Sequence, residues 1–222
     1  MSPPEPPDRA EPPHRADDDV IARWDARHGS PDRDPAPHPN PWVQEIAGAL
    51  TPGRAIDLGA GPGRHSLWLA GRGWTVRAID FSSVAVELGA AAAEERGLTD
   101  RMTWIQADLT TLELEPRSAD LVLITFLHLE PAPWRAVLAE AADAVATGGG
   151  LLVVGHDISI IGTGAPGPAE PRVLYSTASL AGDLQRCGMR IELAEIRRRP
   201  SRDTGDGAGV PTSDAVVFAR RA

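Results

Sequence analysis

The residues Ala55-Ile56-Asp57-Leu58-Gly59-Ala60-Gly61-Pro62-Gly63-Arg64-His65 read as a short apolar strand that ends in a glycine-rich turn and opens a helix. Glycines allow positive φ and let a ligand approach the backbone, and a helix N-terminus offers unpaired N–H groups. Such a turn suits a nucleotide-like ligand, and its spacing separates the kinds. A dinucleotide fingerprint beginning at Gly59 needs glycine at position 64, where Arg64 stands, and no Gly-Lys-Ser/Thr follows to make a phosphate loop. Asp57, inside the end of the strand, suits a ligand carrying an ammonium group better than a pyrophosphate.

Two further carboxylates follow the next two strands. Asp80, in Ala78-Ile79-Asp80-Phe81-Ser82, can accept from both hydroxyls of a ribose. The alternative is that it caps the following helix, a role Ser82 can fill instead. Asp108, in Gln106-Ala107-Asp108-Leu109, could accept from an exocyclic amine of a base while Leu109 covers the ring; on its own it reads equally well as a turn residue. Proton acceptors come later, as His128 in Thr125-Phe126-Leu127-His128 and as His156 beside Asp157. Imidazole suits this work because it titrates near neutrality. The plainer role for both histidines is to anchor the loops after their strands. His65 shares their expected edge, but the spacing of the three matches no metal motif, and no metal site is expected.

These residues need elements to position them. Apolar runs at 55–58, 75–79, 102–106, 119–125 and 151–155 predict strands, and helical patterns at 65–72, 82–96 and 133–146 lie between them. That alternation predicts an α/β fold, a Rossmann-like doubly wound sheet whose ligands bind beyond the carboxyl ends of the strands. A helix over 177–187 and strands over 189–196 and 215–219 predict a closing antiparallel hairpin, giving seven mostly parallel strands with the last antiparallel. Residues 1–16, rich in proline and charge, predict a disordered tail. Residues 17–50 predict a helical cap region, with one helix ending near Gly29 and another opening at Asn40-Pro41 as N-cap and first helical residue. The main domain is then 51–222. The Gly/Pro-rich loop 158–171 reads as a lid or substrate wall, followed by Tyr175, which could close over a substrate or simply pack. Arg197 to Arg199 read as a solvated turn.

The set Asp57-x-Gly59-x-Gly61-x-Gly63, Asp80 and Asp108 on successive strand ends resembles the class I S-adenosylmethionine-dependent methyltransferases. The resemblance runs from about Trp42 to Phe218 and takes in Ala119-Asp120-Leu121-Val122-Leu123 and Gly148-Gly149-Gly150-Leu151-Leu152. Trp24-Asp25-Ala26-Arg27 and Gly63-Arg64-His65-Ser66-Leu67-Trp68-Leu69-Ala70 look like the small-molecule branch related to tellurite-resistance and thiopurine methyltransferases. The resemblance implies S-adenosylmethionine as cofactor, with Asp57, Gly59 and Gly61 around its methionine part and the ribose on Asp80. It places adenine between Phe81 and Leu109, with its amino group on Asp108, and sets Thr125 and Phe126 beside the sulfonium. It also lets the helix of Trp24 fold over the pocket. Two positions depart from the branch: His65 stands where Asn is expected, and Pro62 removes a backbone donor from the loop.

Composition narrows the partners. In 222 residues, Lys+Arg number 22 against Asp+Glu 31, for a net charge of -9, and no basic stripe argues for a polyanion. The chain also lacks an Asn-Pro-Pro-Tyr-type base-binding motif after the fourth strand. Neither a membrane span nor a secretory leader is expected, and the single Cys187 fits a cytoplasmic setting without requiring one. The expected activity is methyl transfer to a small-molecule acceptor by a monomer or homodimer. Competing readings are a non-catalytic binder of S-adenosylmethionine or S-adenosylhomocysteine and, further off, a nucleotide-dependent oxidoreductase.

Overall fold

The computed structural model describes residues 18–30, 38–199 and 210–222. The tail expected over residues 1–16 lies outside them, as does most of the turn expected between the last two strands. After helices α1 (Asp18–His28) and α2 (Pro41–Gly48), strand and helix alternate as β1 (Arg54–Leu58), α3 (Arg64–Gly71), β2 (Thr75–Asp80), α4 (Ser83–Glu95) and β3 (Met102–Gln106). Then come β4 (Ala119–Thr125), α5 (Pro131–Ala144), β5 (Val145–His156), α6 (Thr177–Arg186), β6 (Met189–Arg199) and β7 (Thr212–Arg221). The strands form one sheet in the order β3-β2-β1-β4-β5-β7-β6. Strands β1 to β5 are parallel, and β7 runs antiparallel to both of its neighbours. This is the doubly wound seven-stranded sheet that the pattern predicts.

Both faces are covered at the centre of the sheet, which is why β4 and the later part of β5 are almost continuously apolar. Side chains alternate along a strand. In β4, Val122 and Ile124 join the core beneath α5 and α6, whereas Leu121 and Leu123 join Val43, Leu69 and Trp74 on the opposite face. The strand order reverses between β1 and β4, so the crevice beyond their carboxyl ends is where such a sheet holds a ligand.

Three stretches differ from the sequence pattern. Helix α5 stops at Ala144 and β5 starts at Val145, because the Gly-rich segment enters the sheet through a bulge: Ala119 pairs with Val145, but Leu121 pairs with Gly150. A Cβ at Gly149 would lie 2.9 Å and 3.0 Å from the carbonyls of Ala146 and Asp120, so this close approach requires glycine. The third difference is at the hairpin, where β6 and β7 run further than their apolar cores. Arg197, Arg198 and Arg199 pair with Asp214, Ser213 and Thr212, so the three arginines belong to a strand, not to a solvated turn.

Trp104 of β3 explains two other glycines. A Cβ at Gly63 would sit 2.3 Å, and one at Gly89 2.1 Å, from Trp104 Cη2. Gly89 is inside α4, where alanine is normally favoured over glycine by about 1 kcal/mol. We expect the reverse here. Gly89→Ala should lower stability by about 1–3 kcal/mol through overpacking, whereas Gly89→Ala added to Trp104→Leu should stabilise relative to Trp104→Leu alone. Urea unfolding of the four proteins checks this, and a stabilising Gly89→Ala in the parent chain would refute the packing argument.

Candidate functional site

The turn after β1 satisfies its own donors. Gly59 and Ala60 N–H both donate to the Ile79 carbonyl (2.9 Å and 3.0 Å), Gly61 N–H to Asp80 Oδ2 (2.8 Å), and Gly63 N–H to the Ala60 carbonyl (3.0 Å); Pro62 has none. Gly59, Gly61 and Gly63 all take positive φ, which lets the turn curl against β2 this tightly. With these donors taken, the turn cannot offer them to a phosphate.

Two carboxylates sit beneath and beside it. Asp57 is fully buried; its Oδ2 accepts from Ser66 Oγ at 2.6 Å and its Oδ1 has no hydrogen-bond partner. Burial pushes its pKa up to about 6, against the lowering pull of the Ser66 bond and the Arg64 guanidinium, with Asp80 adding to the rise. Its depth makes it a charge under the loop, acting on whatever lies above through a medium that screens poorly. Asp80 is at the rim, with Oδ1 accepting from Ser82 N–H at 2.9 Å and Oδ2 from Gly61 N–H. Each oxygen keeps a second lone pair. Ser82 caps α4 by accepting from Ala85 N–H, so that role does not fall to Asp80.

The adenine-side residues divide. Phe81 is half-buried at the rim. Asp108 Oδ1 accepts from Thr110 N–H (2.9 Å) and Thr110 Oγ1 (2.8 Å), an Asx-type turn. Leu109 packs in the core with Leu58, Leu114 and Val137. Helix α1 lies over the turn: Asp25 accepts from the Ser82 hydroxyl, and His28, given no role by its sequence position, comes within 3.5 Å of where a Gly61 Cβ would be.

Beyond β4 and β5 lies a second group. Thr125 Oγ1 is 3.0 Å from His65 Nδ1, and Asn40 N–H donates to His65 Nε2 at 3.2 Å. Since Nε2 accepts, Nδ1 carries the hydrogen and donates it to Thr125. His65 is thereby a bridge between α2 and β4. Phe126 adopts φ of 55°, in the left-handed region, with the guanidiniums of Arg64 and Arg199 each 5.3 Å from its ring centre. Its ring meets that of His156 in an edge-to-face contact (5.0 Å between centres), and His156 stacks on His128 (5.4 Å). His128 Nδ1 donates to the Val173 carbonyl at 2.9 Å, which leaves Nε2 as its acceptor. Burial lowers the pKa of His128, and burial with the charge of His128, Arg199 and Arg64 lowers that of His156 to about 4. Both expected histidines therefore share one edge and face one another. Tyr175, by contrast, is a packing residue: its hydroxyl donates to the Leu127 carbonyl, its ring fills the space a Gly155 Cβ would occupy, and burial raises its pKa.

Three side chains here were not read in the sequence as part of a site. Asp214, fully buried, takes Arg199 Nε (2.6 Å), Trp42 Nε1 (3.2 Å) and Asn40 Nδ2 (3.5 Å) on Oδ2. Arg199 and Asp214 meet across the β6–β7 pairing, and Asn40 reaches Asp214 from 174 positions away. Among the described residues, no group of three or more His, Cys, Asp or Glu is gathered as for a metal, and no helix is long and apolar enough to cross a membrane.

Residues 55–149, from β1 into the bulge of β5, match the family described as the methyltransferase domain. Over this segment the chain is similar to methyltransferases. It is 28% identical over 121 residues to a ubiquinone/menaquinone biosynthesis C-methyltransferase of Rhizobium leguminosarum bv. trifolii, covering 51% of this chain and 47% of that one. A shorter match, 41% identical over 51 residues, covers 23% of this chain and 16% of the ribosomal RNA small subunit methyltransferase C of Alcanivorax borkumensis. The chain thus spans less than half the length of these curated relatives. In fold it is similar to TehB from Haemophilus influenzae, with a TM-score of 0.67 and 18% identity over 81% of this chain and 61% of that one. It is also similar to a structure from work on the conversion of a disulfide bond into a thioacetal group during echinomycin biosynthesis, with a TM-score of 0.69 and 24% identity over 91% and 92% of the two chains.

Asp57 yields a test of the buried charge. Folding raises its pKa from 3.8 to about 6, so the folded chain binds the proton more tightly than the unfolded one. The resulting stability is fully present below pH 4 and lost as pH rises through 6. By neutral pH the buried charge costs on the order of 3 kcal/mol. Asp57→Asn, which cannot ionise, should therefore be more stable than the parent at pH 8 and lose that advantage near pH 4. Urea unfolding of the ligand-free proteins at both pH values checks it; an Asn variant less stable at pH 8 would show that the charge is well compensated.

Proposed function

We propose that the protein is an S-adenosylmethionine-dependent methyltransferase acting on a small-molecule acceptor. The observation that carries this reading is the self-satisfied turn between two carboxylates. With its own N–H groups occupied and negative charge below and beside it, the turn is matched to a cationic nucleoside and mismatched to a pyrophosphate. The unpartnered Asp57 Oδ1 fits the same ligand, because a buried carboxylate oxygen without a donor is stabilised by positive charge nearby.

In this reading Asp80 accepts from the ribose hydroxyls with its remaining lone pairs, Phe81 covers one face of adenine, and Asp108 takes the adenine amino group. Leu109 supports that pocket from the core side. Asp57 with Gly59 and Gly61 surrounds the methionine end, and Thr125 with Phe126 borders the reacting centre. When bound, the cofactor supplies an electrophilic methyl group on a sulfonium. The part of the chain is then to align the acceptor and exclude water, effects worth at best roughly 7–11 kcal/mol. The acceptor end is formed by Phe126, His128 and His156, and the loop 158–171 is its wall, since a Cβ at Gly167 would come within 3.3 Å of the His156 ring. The net charge of -9 and the absence of a basic stripe support a small acceptor over a nucleic acid. The names of the quinone and echinomycin relatives point the same way.

Calorimetric titration with S-adenosylmethionine, S-adenosylhomocysteine and NADH tests the reading. Binding of the two sulfur nucleosides without NADH is expected, and Asp80→Ala should weaken it by about 1–3 kcal/mol, roughly 5- to 150-fold, while its unfolding midpoint stays near that of the parent. Failure of the parent protein to bind either sulfur nucleoside would end the methyltransferase reading.

A further inference from the structure

We infer that Asp214 is a positioning residue for His156 and that the acceptor arrives carrying a proton, which His156 removes. The inference rests on the methyltransferase reading and adds to it the class of acceptor: a hydroxyl, thiol or other X–H nucleophile, as opposed to one that already presents a bare lone pair.

The geometry starts from the sheet. His156 of β5 and Asp214 of β7 are paired residues in antiparallel register, which points both side chains to the same face. Asp214 Oδ2 is occupied by Arg199, Trp42 and Asn40, and these three donors from two directions fix the plane of the carboxylate. Its Oδ1 is buried without a hydrogen-bond partner, and His156 Nδ1 stands 3.9 Å away. A buried carboxylate oxygen left unpaired is unfavourable, and a shift of about 1 Å by the imidazole brings it to hydrogen-bond length. Thr212 Oγ1 approaches the same ring nitrogen at 3.5 Å. Carboxylate and hydroxyl thus both lie on the Nδ1 side. A carboxylate only accepts, so Nδ1 carries the hydrogen and the lone pair is left on Nε2.

The rest of the surroundings keeps this lone pair available. His128 stacks on the ring, and its own hydrogen is committed to the Val173 carbonyl. Burial, the neighbouring His128 and the guanidiniums of Arg199 and Arg64, which lie over the Phe126 ring, disfavour a second proton on His156 in the resting protein. Once Nδ1–H closes on Asp214, the imidazolium formed during turnover faces a full negative charge. The step is a proton transfer: the X–H bond of the acceptor breaks, its electron pair stays on X, and an N–H bond forms at Nε2. The proton then leaves to water.

Asp214→Asn is a directed test, because the three donors on Oδ2 require an oxygen there. The amide NH2 is then forced toward His156 Nδ1, which must become the acceptor, and Nε2 gains the hydrogen; an amide in place of the carboxylate of a carboxylate–histidine pair gives this wrong tautomer. Long-range proton–nitrogen NMR on full-length protein labelled at histidine, without ligand, reads the tautomer of His156 directly, with His156→Gln to assign its signals. The parent should show hydrogen on Nδ1 and Asp214→Asn hydrogen on Nε2. Hydrogen on Nε2 in the parent, or no change in a folded Asp214→Asn, overturns the inference. In turnover, a panel of phenols, thiols and tertiary amines with S-adenosylmethionine should give methylation of the X–H compounds. There kcat should fall by about 100-fold or more in Asp214→Asn and in His156→Gln, with the KM for S-adenosylmethionine unchanged. Methylation of the tertiary amines alone, or an unaltered kcat in both variants, also overturns it. Calorimetry with S-adenosylhomocysteine on the parent separates the two levels: loss of binding there defeats the methyltransferase reading, whereas binding with the unexpected tautomer defeats only this inference. His156→Gln, whose side chain is not among the donors to Asp214 Oδ2, keeps the test open should Asp214→Asn fail to fold.

Discussion

One carboxylate oxygen, Asp214 Oδ2, joins the two ends of the chain. Its donors are Asn40 and Trp42, which open α2, and Arg199, which ends β6. A charge with no exposed surface is tolerable only when it is paired and hydrogen-bonded, and removing one partner of such a pair leaves the other uncompensated. The N-terminal helix and the C-terminal hairpin therefore hold one another in place through a group neither could bury alone. Trp42 also lies under the Arg197 guanidinium, 5.2 Å from its ring centre, and Arg197 reaches Glu45 of the same helix at 3.0 Å. The edge of the sheet that carries His156 is fixed from both directions.

The glycine-rich turn is held by the opposite means. The turn after β1 contains small residues and few side-chain bonds, and its rigidity comes from backbone donors folded back on β2. Positive φ at three glycines makes that possible, and at Gly63 the absence of a Cβ also admits Trp104. A loop held by its own backbone has a fixed shape and little residual capacity for anions. The charge around it comes from Asp57 below and Asp80 beside.

How far the sequence reveals this follows from the range of the interactions. Strands β3 and β4 match their predicted runs residue for residue, and β4, buried on both faces, has a signature contained within its own seven residues. The glycine turn, Asp57 and Asp80 were legible for the same reason: each lies within a few residues of its own strand end. Leu109 was read as facing a ligand, but spacing cannot say to which side of a turn a side chain points, and it faces the core. Arg197 to Arg199 look like a solvated turn because charge is the usual mark of exposure, and only their opposite residues on β7 make them a strand. Asp214 meets Asn40 from 174 positions away, and no periodicity encodes a contact of that separation.

The same contact sets the relation between the two ends of the site. Asn40 gives its side-chain N–H to Asp214 and its backbone N–H to His65, and His65 passes a hydrogen bond to Thr125. Thr125 ends β4 at the switch point of the sheet, and Asp214 stands beside His156 on β5. A displacement of the α2 N-terminus large enough to lose one of these bonds loses both, since they leave from a single residue whose carbonyl and side-chain oxygen are already committed to Gln44 and Trp42. That is a shared mechanical support and not a pathway, since nothing in it has two arrangements to switch between. Its effect is to hold His156 and Thr125 at one fixed separation, as the alignment proposed for acceptor and cofactor requires.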